Sequence, residues 1–365
     1  MGDYSMDHQE VMFNPKAMPF RKLGSSGLRV PLFSLGGWLT MGLTVKGDPV
    51  KEIVRTAYEH GINMFDTAEN YAQGQSEVEM GRVIRELGLR RSNIIVSTKL
   101  FFGEQTEGPN DMGLSRKHII TGTQASLKRL GLEYVDVIFA HRSDMTVSIE
   151  EVVRAFNYVL DKGWAFYWAT SEWSAYEIEE AHHIAEKLGM QGPIVEQCQH
   201  NMFCRERPEK EYSPLYKKYG VGKTVFSALA SGLLTGKYNN GVPEGSRFAD
   251  PACGARFKGT VESFSRQEGQ AKLDKVRKLS ELAQNELDCT VGQLALAWVA
   301  RDPNTSSVIL GASKPEQVLD NLKALDVIPK LTPEVLAKID DILENRPAPP
   351  STFGRPPLDA FIPCV

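Results

Sequence analysis

"SRKHIITGTQASLKRLGLEYVDVIFAH", residues 115–141, holds one complete unit of the fold. Residues 115–131 carry apolar side chains at helical spacing between a Ser115 cap and a closing Gly131. "VDVIFAH", residues 135–141, is then a short, nearly unbroken apolar run that stops on a histidine. A run without polar alternation is a strand buried on both faces, which belongs to a parallel sheet covered by helices.

The unit recurs along the chain. Comparable runs are "PLFSLGG" (31–37), "INMFDT" (62–67), "NIIVSTK" (93–99), "AFYWATS" (165–171), "PIVEQ" (193–197), "KTVFSA" (223–228) and "SSVILGAS" (306–313), which with 135–141 makes eight. Helical patterns lie between them: "DPVKEIVRTAYEHG", "SIEEVVRAFNYVLDKG", "SAYEIEEAHHIAEKLG" and "TVGQLALAWVARD". Eight strand–helix units predict an α/β fold, a single (β/α)8 TIM barrel. An open doubly wound sheet is the alternative, but it usually carries a glycine-rich dinucleotide turn after its first strand, and no GxGxxG occurs. "FRKLGSSGLRVP" (20–31) reads as an N-terminal β-hairpin closing the bottom of the barrel. The expected organisation is a loose tail over 1–18, the barrel over 19–345 and a Pro-rich tail over 346–365.

Bulk properties exclude several function classes. A net charge of −4 without a basic stripe gives no reason to expect nucleic acid. No stretch approaches the roughly 18 apolar residues of a membrane helix, so no membrane insertion is expected. The N-terminus is too polar for a signal peptide. Five cysteines in no CxxC pairing, without an export signal, fit reduced thiols in a cytoplasmic protein. No ligand cluster points to a metal, since His182–His183 lacks an HExxH frame.

In a parallel barrel, chemistry gathers at the C-terminal ends of the strands. The runs end on Gly37–Trp38, Asp66, Lys99, His141, Ser171–Glu172, Gln197, Ser227 and Gly311–Ser313. Each polar end alone is ordinarily a cap, a rim salt bridge or a satisfied core group. Their coincidence on one rim is what points to a site. Tyr71 is a weak acid at its free pKa near 10, and a Lys99 ammonium beside it is expected to lower that value. Asp66 is expected to orient Lys99, and His141 to donate to a carbonyl oxygen or share a proton with Tyr71. No side chain supplies a hydride, so such a site requires a nicotinamide cofactor. Ser171 and Gln197 suit a carboxamide, and Phe226 suits ring stacking. Trp38, Tyr71, Phe101, His141 and Trp173 are the expected substrate pocket. The long stretches 101–113 and 253–269 read as connections that shape substrate choice.

Taken together, "FDTAENY", "VSTK", "FAH", "TSEW", "EQ" and "LGAS…Q…DN" resemble the aldo-keto reductases, over roughly 20–345. "RKLGSSGLRV", "DTAENYAQGQSEVEMG", "SLKRLGLEYVDV" and "SGLLTGKY" resemble most the potassium-channel β-subunit branch. The resemblance implies a (β/α)8 barrel using NADP(H), with Asp66, Tyr71, Lys99 and His141 as catalytic residues and Tyr71 as general acid. It implies cofactor contacts from Gly37, Trp38, Asp66, Ser171, Glu172, Gln197 and Phe226. It extends them along the pyrophosphate through Ser227, Ala228, Leu229, Ser231, Gly232, Lys237 and Arg247. Gly311, Ser313, Lys314, Gln317, Asp320 and Asn321 match the adenosine end. The helix start at "GASKPEQ", with Lys314, favours a 2′-phosphate and hence NADP over NAD.

Three departures from that pattern stand out. His141 replaces the asparagine common in animal channel subunits, Glu172 replaces an asparagine or arginine, and Ala228 replaces a proline. Glu172 is expected to place a carboxylate near the nicotinamide, and the loop at Ala228 to gain mobility. The implied substrate is a small aldehyde or ketone, reduced to an alcohol or formed by the reverse oxidation. The alternative is a channel-β-like regulatory subunit that binds NADPH as a redox sensor. The resemblance leaves a homo-oligomer and a membrane-channel partner open.

Overall fold

The computed structural model describes residues 11–104, 108–349 and 353–354. Its strands are β1 (Phe20–Lys22), β2 (Arg29–Pro31), β3 (Phe33–Gly36), β4 (Met64–Asp66), β5 (Ile95–Leu100), β6 (Val135–Ala140), β7 (Ala165–Ser171), β8 (Val195–Gln199), β9 (Gly222–Phe226) and β10 (Thr305–Leu310). Strands β3 to β10 pair in sequence order, all parallel, and β10 closes onto β3. This is a (β/α)8 barrel, and each of the eight runs supplies one of its strands. Strands β1 and β2 form a separate antiparallel hairpin.

The helices are α1 (Asp48–Glu59), α2 (Gln75–Glu86), α3 (Arg116–Leu130), α4 (Ile149–Asp161), α5 (Ala175–Leu188), α6 (Ser213–Tyr219), α7 (Lys258–Ser263), α8 (Gln267–Leu287), α9 (Val291–Ala300), α10 (Pro315–Leu322), α11 (Ala324–Val327) and α12 (Pro333–Leu343). The expected caps are in place. Ser115 accepts from His118 N, and Gly131 closes α3 in the left-handed region. Thr290 and Gln293 form a reciprocal capping box on α9. None of these helices is long and apolar enough to cross a membrane. Cys198, Cys204, Cys253 and Cys289 carry free thiols, and Cys364 lies outside the described residues.

The hairpin fills the bottom of the barrel. Leu23 and Val30 are fully buried and pack with Met64, Ile95, Val137, Phe139, Ala169 and Val195, which lie on five consecutive barrel strands. The turn must pass close to the sheet: a Cβ on Gly24 would sit 1.7 Å from Ile194 O. Gly24 also has φ +54°, where a side chain is strained.

Two expectations need correction. Residues 11–18 are not a loose tail where they are described. Met18 is buried, Val11 bridges to Leu89, and the Phe13 ring lies 5.1 Å from that of Tyr58. Apolar residues in a polar stretch gave this segment a surface to dock with. Residues 253–269 are not an open connection either, because α7 and the start of α8 occupy most of them. Residues 350–352 and 355–365 of the expected C-terminal tail lie outside the described residues, as do 105–107 of the 101–113 stretch.

Gly24→Ala should destabilise the protein by at least about 2 kcal/mol in chemical denaturation, because both the backbone conformation and the space forbid a methyl. Gly27→Ala in the same turn has nothing within 4 Å of its Cβ and should change stability by less than about 0.5 kcal/mol. Equal losses at the two glycines would contradict the plug.

Candidate active site

Parallel strands alternate inward and outward, so every second residue of a strand reaches the barrel interior. The inward residues at the C-terminal ends of β4, β5, β7 and β8 include Asp66, Lys99, Ser171 and Gln197, and His141 follows β6 directly. The barrel gathers these groups around one buried ion pair. Lys99, fully buried, donates from Nζ to Asp66 Oδ2 at 2.5 Å and to Thr67 O at 2.7 Å. Asp66 Oδ1 accepts from Ser97 Oγ at 2.8 Å and from Gln197 Nε2 at 3.2 Å. Two donors on Oδ1 and one on Oδ2 satisfy a carboxylate that is 3% exposed.

Tyr71 reaches this pair from the loop after β4. The Lys99 ammonium sits 4.8 Å from the centre of its ring, and the His141 ring lies 5.7 Å away, edge-on. Burial raises the Tyr71 pKa above its usual value, and Lys99 only partly opposes this. Lys99 lowers the phenol's pKa as expected, but desolvation of the phenolate outweighs it and the net shift is upward. Burial also works against the Lys99 ammonium, but Asp66 and Tyr71 outweigh it and its pKa rises.

His141 is the reverse case. Burial, then the positive charges of Lys99 and Arg142, push its pKa well below the usual imidazole value. The ring is neutral at pH 7. Its Nδ1 is buried and has no hydrogen-bond partner among the described residues. A neutral imidazole with an uncommitted nitrogen beside a protonated phenol is chemically prepared to meet a polar oxygen.

The loop after β5 carries two further rings to this rim. Phe102 stands 5.1 Å from His141, edge-on, and 5.0 Å from Phe101. Glu69 holds that loop. Its Oε1 accepts from Phe101 N at 2.7 Å, Gly103 N at 2.8 Å and His118 Nε2 at 3.1 Å. Sequence reasoning missed Glu69, although it stands between Asp66 and Tyr71; a buried acid three residues after a strand end was the available signal.

The remaining rim residues divide. Gly37 donates its N–H to Asp66 O at 2.9 Å, and a Cβ there would meet Ser76 Oγ at 2.3 Å, so only glycine fits. Trp38 is 38% exposed at the mouth. Trp173, expected in the pocket, is 1% exposed within the apolar core and offers no surface to a substrate. The Glu172 carboxylate is committed. It accepts from Gln199 N at 2.6 Å and pairs with Arg207 at 3.1 Å. The expected negative charge beside a cofactor ring gives way to this ion pair, anchored by a residue in the left-handed region at φ 58°.

Ser227, Ala230, Ser231 and Gly232 after β9 all have positive φ. They fold the chain into a tight turn that uses its own N–H groups: Ala230 N bonds to Ser227 O at 2.8 Å and Gly232 N to Leu229 O at 2.9 Å. Ala228 in this loop is 3% exposed, and Ser231 N bonds to Ser227 Oγ at 3.1 Å. The loop is thus anchored where mobility was expected. Lys237 and Arg247 have no ion-pair partner among the described residues, and each is held below its usual pKa, by burial first. Mutual repulsion adds to the Lys237 shift. The Arg247 guanidinium lies 3.5 Å from where a Cβ on Gly311 would stand, which joins this loop to the end of β10. Beyond Gly311, Ser313 bonds to Gln317, and Lys314 precedes the first turn of α10 without making a side-chain cap. Asp320 faces the other way and accepts from Gln293 Nε2 at 2.9 Å. Gln317 and Asn321 lie on the same helix, and Phe226 and Leu229 are half-buried at the end of β9. A separate cavity of about 560 Å³ among α6, α9 and the turn before β10 includes none of these residues.

The aldo/keto reductase family model matches residues 33–344. A Schizosaccharomyces pombe protein named "Putative voltage-gated potassium channel subunit beta" is 53% identical over 336 residues, 92% of this chain and 96% of its own. Proteins of Arabidopsis thaliana and Oryza sativa subsp. japonica, each named "Probable voltage-gated potassium channel subunit beta", are 50% and 49% identical. These alignments cover 92% and 90% of this chain, and 100% and 98% of the relatives.

Two outcomes are expected at this site. Glu69→Ala leaves two loop amides and the His118 ring without their acceptor, so hydrogen exchange at Phe101 and Gly103 should accelerate at least tenfold; unchanged protection would contradict the role given to Glu69. The His141 pKa is depressed on folding. The unfolded chain therefore takes up a proton that the folded protein refuses, and the associated stability is present above about pH 6.5 and lost as pH falls below it. His141→Gln should flatten stability against pH below about 6.5, whereas an unaltered slope would show that His141 is not held neutral.

Proposed function

From the membership of this chain in the aldo/keto reductase family, we propose that it is an NADPH-dependent oxidoreductase that reduces a small aldehyde or ketone to an alcohol, with Tyr71 as general acid. The observation that carries the proposal is a protonated, buried Tyr71 beside a buried Lys99–Asp66 pair and a neutral His141 whose Nδ1 has no hydrogen-bond partner among the described residues.

The fit of a dinucleotide rests on the chain's own features. Lys237 and Arg247, which pair with no carboxylate among the described residues and stand beside the tight turn at Ser227–Gly232, suit a pyrophosphate. Lys314 at the open start of α10, with Ser313, suits a 2′-phosphate, which is the ground for NADP over NAD. Ser171 and Gln197 are placed for the carboxamide, Phe226 for stacking, and Gly37 leaves room on the first strand. When bound, NADPH supplies the hydride that no side chain can.

The residues supply the rest. His141 donates an N–H to the carbonyl oxygen and fixes its position. Tyr71 Oη gives its proton to that oxygen as negative charge develops there. The phenolate left behind lies near the Lys99 ammonium, which Asp66 and Thr67 keep oriented. A neutral His141 matters here, because an imidazolium would be a stronger acid than the phenol and would displace Tyr71 as the proton donor.

A second reading is favoured by a specific finding. The relatives at about half identity carry channel-subunit names. On that reading the chain is a regulatory subunit in the cytoplasm, holding NADPH as a redox signal for a membrane partner. The complete set of Asp66, Tyr71, Lys99 and His141 favours turnover.

Wild-type protein and Tyr71→Phe should both bind NADPH, followed by cofactor fluorescence. Oxidation of NADPH by a panel of aldehydes and ketones should fall about 10²–10⁴-fold in the variant. Tight binding with no turnover of any carbonyl by the wild type would transfer the function to the regulatory reading.

A further inference from the structure

Among the cations around the reacting groups, Arg142 has no carboxylate. Lys99 is paired with Asp66, Arg129 with Glu77 and Glu104, and Arg207 with Glu172 and Glu211. Arg142 follows His141 directly and makes no ion pair among the described residues. Its Nη1 donates to its neighbour's carbonyl, His141 O, and to Ser171 Oγ at 3.3 Å. Nε and Nη2 engage no group among the described residues. The guanidinium carbon stands 5.9 Å from the Phe102 ring, which packs in turn against His141. Its charge is close enough to bear on both Tyr71 and His141.

We infer that Arg142 is a specificity-determining residue that selects carbonyl substrates bearing a carboxylate. The inference rests on the reductase reading above. A half-buried guanidinium anchored through one nitrogen keeps a planar edge of N–H donors, the arrangement that a carboxylate meets in a bidentate way. The anchors are a backbone carbonyl and a hydroxyl, so they fix the side chain without neutralising it. Glu172 and Glu177, the acids nearest in sequence around Ser171, are already committed to Arg207 with Gln199 N and to Ser143 with Ser174. Neither is free to quench the charge. Phe102 gives the substrate an apolar flank between the reacting carbonyl at Tyr71 and the anion at Arg142.

The test compares 4-carboxybenzaldehyde with methyl 4-formylbenzoate, which has the same ring and carbonyl without the charge. The ratio of kcat/KM for the acid over the ester should favour the acid in the wild type. Arg142→Met should reduce that ratio about tenfold or more, and Arg142→Lys, keeping charge but not the fork, should fall between. A merely structural role would lower both substrates alike and leave the ratio unchanged, which would overturn the inference. Binding of benzoate against benzamide to the NADP⁺-loaded protein, by calorimetry, reads the same discrimination without turnover. If neither aldehyde is reduced, the reductase reading fails, while preferential benzoate binding lost in Arg142→Met still upholds the anion site. If Arg142→Met weakens NADP⁺ binding and leaves the benzoate preference intact, the guanidinium serves the cofactor and the inference falls.

Discussion

Everything at the rim depends on the buried pair between Lys99 and Asp66. An ammonium with no exposure is tolerable only if its partner is close and its remaining donors are used, since each unpaired buried ion costs several kcal/mol. Here the partner is 2.5 Å away, Thr67 O takes a second proton, and Ser97 and Gln197 complete the carboxylate. Three barrel strands, β4, β5 and β8, thus contribute to one charge pair. Losing either member would leave the other buried and uncompensated, at about 3–5 kcal/mol. The pair is therefore as much a constraint on strand register as it is chemistry, because a one-residue slip of β5 would send Lys99 out of the barrel.

The two titrating neighbours are shifted in ways that keep both uncharged. The same desolvation that holds Tyr71 protonated holds His141 neutral. Lys99 acts against the first shift and in favour of the second. The rim at rest is thus one compensated ion pair with two neutral donors beside it. Under the proposed reduction, negative charge appearing on a carbonyl oxygen is the event that such a field stabilises. Arg142 extends the same positive field outward and makes no ion pair among the described residues.

The barrel was legible because parallel strands buried on both faces leave unbroken apolar runs, and the polar residue that ends each run marks the rim. Asp66, Lys99, His141 and Gln197 could be placed together for that reason, and Tyr71 followed from its loop. Interactions that depend on pairing across space were not legible. The Glu172–Arg207 bond joins residues 35 apart in sequence, and nothing in "TSEW" announces it. Trp173 looked like a pocket wall because it follows the rim, but the chain turns at Glu172 and buries the indole. The sign of the Tyr71 shift was a contest of magnitudes: proximity to Lys99 was readable, but full burial was not. Residues 258–263, "KGTVES", carry a single apolar side chain and so show no helical spacing, yet they form a helical turn against α8.

The central claim is that this rim delivers a proton to a carbonyl oxygen while its carbon is reduced. The most direct measurement is to incubate the protein with NADPH deuterated at C4 and an aldehyde, then locate the label by mass spectrometry and NMR. Deuterium on the former carbonyl carbon of the alcohol, lost when Tyr71 is replaced by Phe, is the result expected. Bound NADPH with no deuterated alcohol from any carbonyl would contradict the claim.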